Sequence, residues 1–327
     1  MRKIFILLFF LISAPSFSQD VKDIWKQLGS DIDGEAVGDE SGRSVSLSSD
    51  GTIVAIGAAL NNGNGISAGH VRVYQYASGS WTQLGSDIDG EAVGDYSGYS
   101  VSLSSDGTVV AIGAYANDGN GTDAGHVRVY QYASGSWTQL GSDIDGEGAG
   151  DESGRSVSLS SDGTILAIGG SKNGGSGRTD AGHVRVYKYV SSNWSQVGSD
   201  IDGQTAGDRS GESVSLSSDG TIIAVGGPNN DSNGTNAGLI RVYKNVSDVW
   251  TKICTCGPDG GDIDGEAAND GSGYDIALNN DGTRVAIGAY QNDGNGDNSG
   301  HVRVYEYSGG NWVQLGLDID GEAVDDE

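Results

Sequence analysis

One text recurs along this chain. Tryptophan stands at positions 25, 81, 137, 194, 250 and 312, at intervals of 56, 56, 57, 56 and 62 residues. Each interval spells W-T-Q-L-G-S-D-I-D-G-E-A-V-G-D, then S-G-x-S-V-S-L-S-S-D-G-T, then V-A-I-G-A, an Asn/Asp/Gly tract, and G-H-V-R-V-Y. A fixed period of this length marks stacked supersecondary units, none of which can bury its apolar face alone. The extra residue of the third interval falls within 172–180, and the six extra of the fifth fall between Trp250 and Asp262. Those points are therefore loops, and the uninterrupted text is structural.

Each unit carries four strand signals. Residues 44–48 alternate small polar with apolar side chains, a period of two. Residues 49–52, Ser-Asp-Gly-Thr, form a tight turn in which glycine supplies a positive φ. Residues 53–57 are an apolar run suited to a strand covered on both faces, Val71–Tyr74 is a third strand, and Trp81–Leu84 a fourth. No sustained helical period occurs after the first residues. Four antiparallel strands repeated in series predict an all-β fold, a β-propeller of four-stranded blades with five full repeats plus an extra strand. A β-solenoid is the competing architecture, but its repeats are usually much shorter. The units start near Trp25, Trp81, Trp137, Trp194 and Trp250, with a last partial unit at Trp312. The text stops where S-G-x-S-V-S-L should resume, so a ring of more blades or an open edge is expected.

Charge excludes one class of partner. Asp and Glu number 45 against 18 Lys and Arg, a net charge of -27, so the clustered cations that neutralise nucleic-acid phosphates are missing. Arg2 and Lys3, the apolar run 4–12 and the small residues of Ser16-Phe17-Ser18 predict a signal peptide over 1–18, leaving a mature repeat region of 19–327. The protein is expected to be secreted, extracellular or at the cell surface. The apolar run is well short of the ~20 residues that span a bilayer, so no transmembrane segment is expected in the mature chain. Cys254 and Cys256 are the only cysteines. Their readings are a strained local pair, a soft-metal pair lacking further ligands, or inert residues of an insertion.

The order S-G-x-S-V-S-L, V-A-I-G-A, G-H-V-R-V-Y resembles the FG-GAP repeat of integrin-α-like propellers. Ser41-Gly42 stands where that pattern has Phe-Gly, Gly57-Ala58 matches its Gly-Ala, and Gly226-Gly227-Pro228 keeps the Pro but replaces the Ala. The resemblance covers residues 25–327 and implies a propeller. Calcium-binding members of that family carry spaced acids in the hairpin between the first two strands. Here the hairpin is only S-S-D-G-T, so the family's calcium site does not carry over.

Alternating strand direction puts the turns after strands one and three on one face and the long segments, 31–41 and 117–121 with their copies, on the other. Variable loops on one face are where a propeller binds something. The acidic link D-I-D-G-E-A-V-G-D supplies candidate Ca²⁺ ligands: Asp31, Asp33 and Asp39; Asp87, Asp89 and Asp95; Asp143, Asp145 and Asp151; Asp200, Asp202 and Asp208; Asp262, Asp264 and Asp270. Oxygen donors on a glycine-containing loop suit Ca²⁺, and the same residues equally suit turn caps and a solvated face. His70, His126, His183 and His301 precede V-R-V-Y, with Leu239 in the fourth unit, which favours packing over chemistry. Arg72, Arg128, Arg185, Arg241 and Arg303 are expected to bond backbone or carboxylate between blades. No nucleophile–base set stands out. The functional expectation is a non-enzymatic binding or adhesion module for a glycan, protein or surface, with or without calcium. The alternative is a carbohydrate-active enzyme using carboxylates in the central channel.

Overall fold

The computed structural model describes residues 26–174, 177–254 and 260–324. Residues 1–18, Trp25, Cys256 and Asp326 lie outside them. The described residues form five antiparallel sheets, and none is in an α-helix. In the first sheet β1 (Ser44–Leu47), β2 (Ile53–Ala58), β3 (His70–Ala77) and β4 (Ser80–Gln83) pair in chain order. A two-residue β5 (Ile88–Asp89) returns to β3, placing Ile88 opposite Val71 and Asp89 opposite His70. The expected fourth strand is thus broken at Gly85-Ser86, and D-I-D, expected as a loop, is its inner half. The same five strands recur in the other four sheets. This is a β-propeller of four-stranded blades. The strand carrying Trp312 completes the fifth blade, and residues 26–41 lead into the first without a strand.

Serine stitches the blades. The first strands of blades one to four alternate Ser with Val or Leu, so one face offers hydroxyls while the other packs. Leu103 N donates to Ser46 Oγ of the preceding blade at 2.9 Å, and Ser44 Oγ donates to Gly98 O of the following one at 2.8 Å. Ser49 N donates to Ser105 O at 2.8 Å. The pattern repeats at all four junctions from the first blade to the fifth. Between the stitched strands lie four apolar clusters; the first joins Ile53, Val71, Val73 and Ile88 to Val101, Leu103, Val110 and Ile112.

Trp137, Trp194, Trp250 and Trp312 are half-buried at the rims of the four clusters, and Trp137 Nε1 donates to Leu84 O at 2.8 Å. The expected turn is present: Asp106 Oδ1 accepts from Thr108 N, Thr108 Oγ1 and Ser104 Oγ at 2.7–3.0 Å. Cys254 is disulfide-bonded.

The end blades differ from the rest. Val45 and Leu47 are 62% and 59% exposed, whereas Val101 and Leu103 are 9% and 7%. On the fifth blade Ile319 is 63% exposed, whereas Ile88 is 5%. Arg284 there occupies the place of Ile53, and Asp275 the place of Ser44. Both blades carry an uncovered face.

Candidate functional site

The long segments share one face, as strand direction requires. The link into the second blade lies against the loop after β2, with Ser97 N donating to Ala68 O at 3.0 Å and Asn64 Nδ2 to Gly90 O at 2.7 Å. The fifteen candidate aspartates divide by role. Asp39, Asp95, Asp151, Asp208 and Asp270 are buried turn caps; Asp95 Oδ2 accepts from Ala92 N at 2.9 Å and from Asn117 Nδ2 of the next blade at 3.1 Å. Asp31, Asp87, Asp143 and Asp200 accept from the amides of Gln27, Gln83, Gln139 and Gln196 at 2.6–2.7 Å. Asp262 instead pairs with Lys252 and Arg241. Asp33, Asp89, Asp145 and Asp264 accept through their main-chain carbonyls from Arg72, Arg128, Arg185 and Arg303 at 2.7–2.8 Å, an expected arginine role. Asp202 pairs with His183 in the strand register. Among the described residues, no two aspartates of one link fall in a group tight enough to share an ion.

Each histidine sits beside two carboxylates. Glu35, His70 and Asp87 bring their ligand atoms within 4.8 Å of one another, and so do Glu91, His126 and Asp143; Glu147, His183 and Asp200; and Glu266, His301 and Asp318. The glutamate comes from the link entering a blade, the histidine from that blade's third strand, and the aspartate from its broken outer strand. Burial, with Arg185 adjacent, pushes His183 down to about 4 and His126, beside Arg128, in the same direction.

A second constellation sits at the mouth of the channel. The variable residue of S-G-x-S is Arg43, Tyr99, Arg155, Glu212 and Tyr274 in the five blades, and all five line one cavity. Arg43 Nη2 donates to Tyr99 OH at 2.7 Å, and its guanidinium lies 4.5 Å from that ring's centroid. Arg155 lies 4.7 Å from the same ring and 5.2 Å from Tyr115. Its Nε donates to Glu212 Oε1 at 3.0 Å, while Nη1 is 3.7 Å from Glu152 Oε2. Lys172 Nζ holds the other Glu152 oxygen at 2.7 Å, and the buried Oε2 has no hydrogen-bond partner. Burial opposes the charge on Arg155, but Glu212 and Tyr99 outweigh it and hold the guanidinium firmly protonated. Burial raises Tyr115 and Tyr274, so both phenols stay neutral donors. Two guanidiniums, an ammonium, carboxylates and phenols thus converge where five inner strands meet. These residues were missed by sequence reasoning, although the signal was present: x is a variable column in otherwise constant text.

Residues 87–130 match the model of the FG-GAP repeat family. No curated protein matches the chain. Among solved structures, the chain is similar to the Pseudomonas aeruginosa periplasmic gluconolactonase PpgL (15% identity, TM-score 0.55, 86% of this chain and 72% of that one). It is also similar to Kuenenia stuttgartiensis hydrazine synthase (14% identity, TM-score 0.53, 88% and 70%). At such identity the likeness is one of fold. The expectation of a non-enzymatic binding or adhesion module is corrected by these findings. Both of these proteins are named as enzymes, and the channel mouth departs from repeat symmetry as a site for chemistry does. Text like that matched over 87–130 recurs in the other blades, and the chain is a β-propeller that carries an FG-GAP repeat match over those residues.

Proposed function

We propose that the chain is an exported carbohydrate-active enzyme whose site is the channel mouth and whose substrates are small sugar lactones. The observation that carries this reading is the convergence of Arg43, Tyr99, Arg155, Glu212 and Tyr274 from one repeat position. A ring used only for support has no need of five residues of three chemical kinds there. The fold shared with a gluconolactonase supports the substrate class. Glu212, the carboxylate that lines the cavity, takes a proton from water as the water oxygen bonds to the lactone carbonyl carbon. The guanidiniums of Arg43 and Arg155 stabilise the oxyanion that forms. The ring C–O bond then breaks, and the leaving oxygen recovers the proton from Glu212.

The test is acid release from a panel of sugar lactones in a pH-stat. Glu212→Gln should lower kcat about 100-fold or more, the usual weight of a general base, while the protein stays folded. Lactone opening no faster than in buffer alone would refute the reading.

A further inference from the structure

We infer that the four Glu–His–Asp clusters each bind a divalent first-row transition ion, with zinc the best fit. This inference is independent of the proposed hydrolysis and concerns the outer parts of the blades. In the third blade His183 is 1% exposed, and neither ring nitrogen has a hydrogen-bond partner. Its Nδ1 faces Glu147 Oε2 at 3.6 Å and Asp200 Oδ2 at 3.9 Å. His301 is placed likewise, with both nitrogens unpartnered and carboxylate oxygens at 3.8 and 3.9 Å. Buried polar nitrogens normally find partners, and these separations are too long for hydrogen bonds. They are within a few tenths of an ångström of the ~3.4 Å between two ligands of one tetrahedral zinc. One imidazole and two carboxylates form a donor set for zinc and its neighbours, whereas calcium takes oxygen alone.

Outer partners hold the cluster aspartates, and the glutamates of the first, second and fifth blades, with one oxygen turned to the imidazole, as outer partners of metal ligands do. Glu147 Oε2 also accepts from Asn173 Nδ2 at 3.5 Å. Gln196 Nε2 takes Asp200 Oδ1 at 2.6 Å and leaves Oδ2 facing His183. Arg128 Nη1 lies 3.4 Å from Glu91 Oε1 and leaves Oε2 to His126.

The fourth blade supplies the internal control. There Gln204 replaces the glutamate, Leu239 the histidine, and Lys252 the glutamine, while Asp262 remains. The Lys252 ammonium bonds Asp262 Oδ1, and Arg241 Nε turns to Oδ2 at 3.0 Å. Where two ligands are lost, a built-in cation arrives at the third. A purely structural histidine gives no reason for these three changes to occur at one cluster.

The experiment is zinc content by mass spectrometry after chelator treatment and equilibrium dialysis of the chain against zinc. Four ions per chain are expected. The triple variant Glu147→Gln, His183→Leu, Gln196→Lys carries the set that the fourth blade already tolerates, so it should fold and bind three. Cobalt should give a visible absorption band that falls by a quarter in the same variant. Fewer than one zinc per chain, four retained by the triple variant, or displacement of zinc by equimolar calcium would overturn the inference.

Discussion

Gly113 and Gly288 occupy the same place in the repeated text, yet their substitution by alanine should have opposite consequences. A Cβ built on Gly113 would lie 2.1 Å from Gly154 O of the following blade and 2.3 Å from Ser100 Oγ. That is where the serine hydroxyl meets the carbonyl, at 2.8 Å. Admitting the methyl pushes the next blade's backbone away by roughly 1 Å and separates that pair. Overpacking of this kind costs about 1–3 kcal/mol, and a buried acceptor left unsatisfied costs about 1–3 kcal/mol more. Gly113→Ala should therefore lose about 4 kcal/mol, the sum of central values from those two sources. Gly288 lies on the uncovered blade, where the nearest atom to an added Cβ is Asp275 O at 3.6 Å, an ordinary contact. Its φ is not in the left-handed region, so Gly288→Ala should be neutral or gain about 0.5 kcal/mol by restricting the unfolded chain. Urea unfolding of both variants, compared at matched m-values, reads the difference directly. Equal costs within about 0.5 kcal/mol, the usual error of such comparisons, would show that blade contact does not set the demand for glycine.

Other perturbations follow from the same contacts. Ser102→Ala strands Leu159 N, which donates to Ser102 Oγ at 3.0 Å, and should cost about 1–2 kcal/mol in the same assay. Trp137→Ala removes a half-buried ring and its bond to Leu84 O; about 2 kcal/mol is expected, below the range for a fully buried tryptophan. Burial at Asp106 favours the protonated form, but hydrogen bonds from Thr108 and Ser104 outweigh it and hold the carboxyl below its ordinary 3.8. That contribution is present above the unfolded value and lost as pH falls through the folded one. The stability gap between wild type and Asp106→Ala, measured by thermal unfolding, should therefore narrow below about pH 3.8. A gap that stayed constant down to pH 2.5 would contradict it.

The repeat made the blades legible because each strand writes its burial in period two, as in Ser44–Leu47, and each turn names its chemistry, as at Asp106. What stayed hidden has physical reasons. Ile88–Asp89 follows a glycine break and is too short to show a period, so it passed for loop. The Glu–His–Asp clusters join residues 35 and 17 positions apart, as at Glu91, His126 and Asp143. Such distances mean nothing until the link folds over the blade. Leu239, taken alone, argued that histidine there only packs. Its meaning reverses once Gln204 and Lys252 are seen beside it. The channel mouth was obscured for the opposite reason, because attention to what recurs passes over the columns that do not, such as Arg43, Tyr99, Arg155, Glu212 and Tyr274.

The two uncovered faces are the complementary halves of an ordinary blade junction. Presented by different molecules, such halves meet head to tail, a heterologous contact that extends into filaments rather than closing. Val45 and Leu47 on the first blade provide the apolar half. On the fifth, Arg284 is tied to Glu306 at 2.8 Å where other blades place isoleucine or valine. Asp275 has no hydroxyl to offer the next carbonyl. Seating another copy would press an ion pair against hydrocarbon and leave a stitch unmade. Three residues on one blade thus guard the molecule against its own geometry. Arg284→Ile with Asp275→Ser would remove the guard, and end-to-end stacking of the molecules is the expected result.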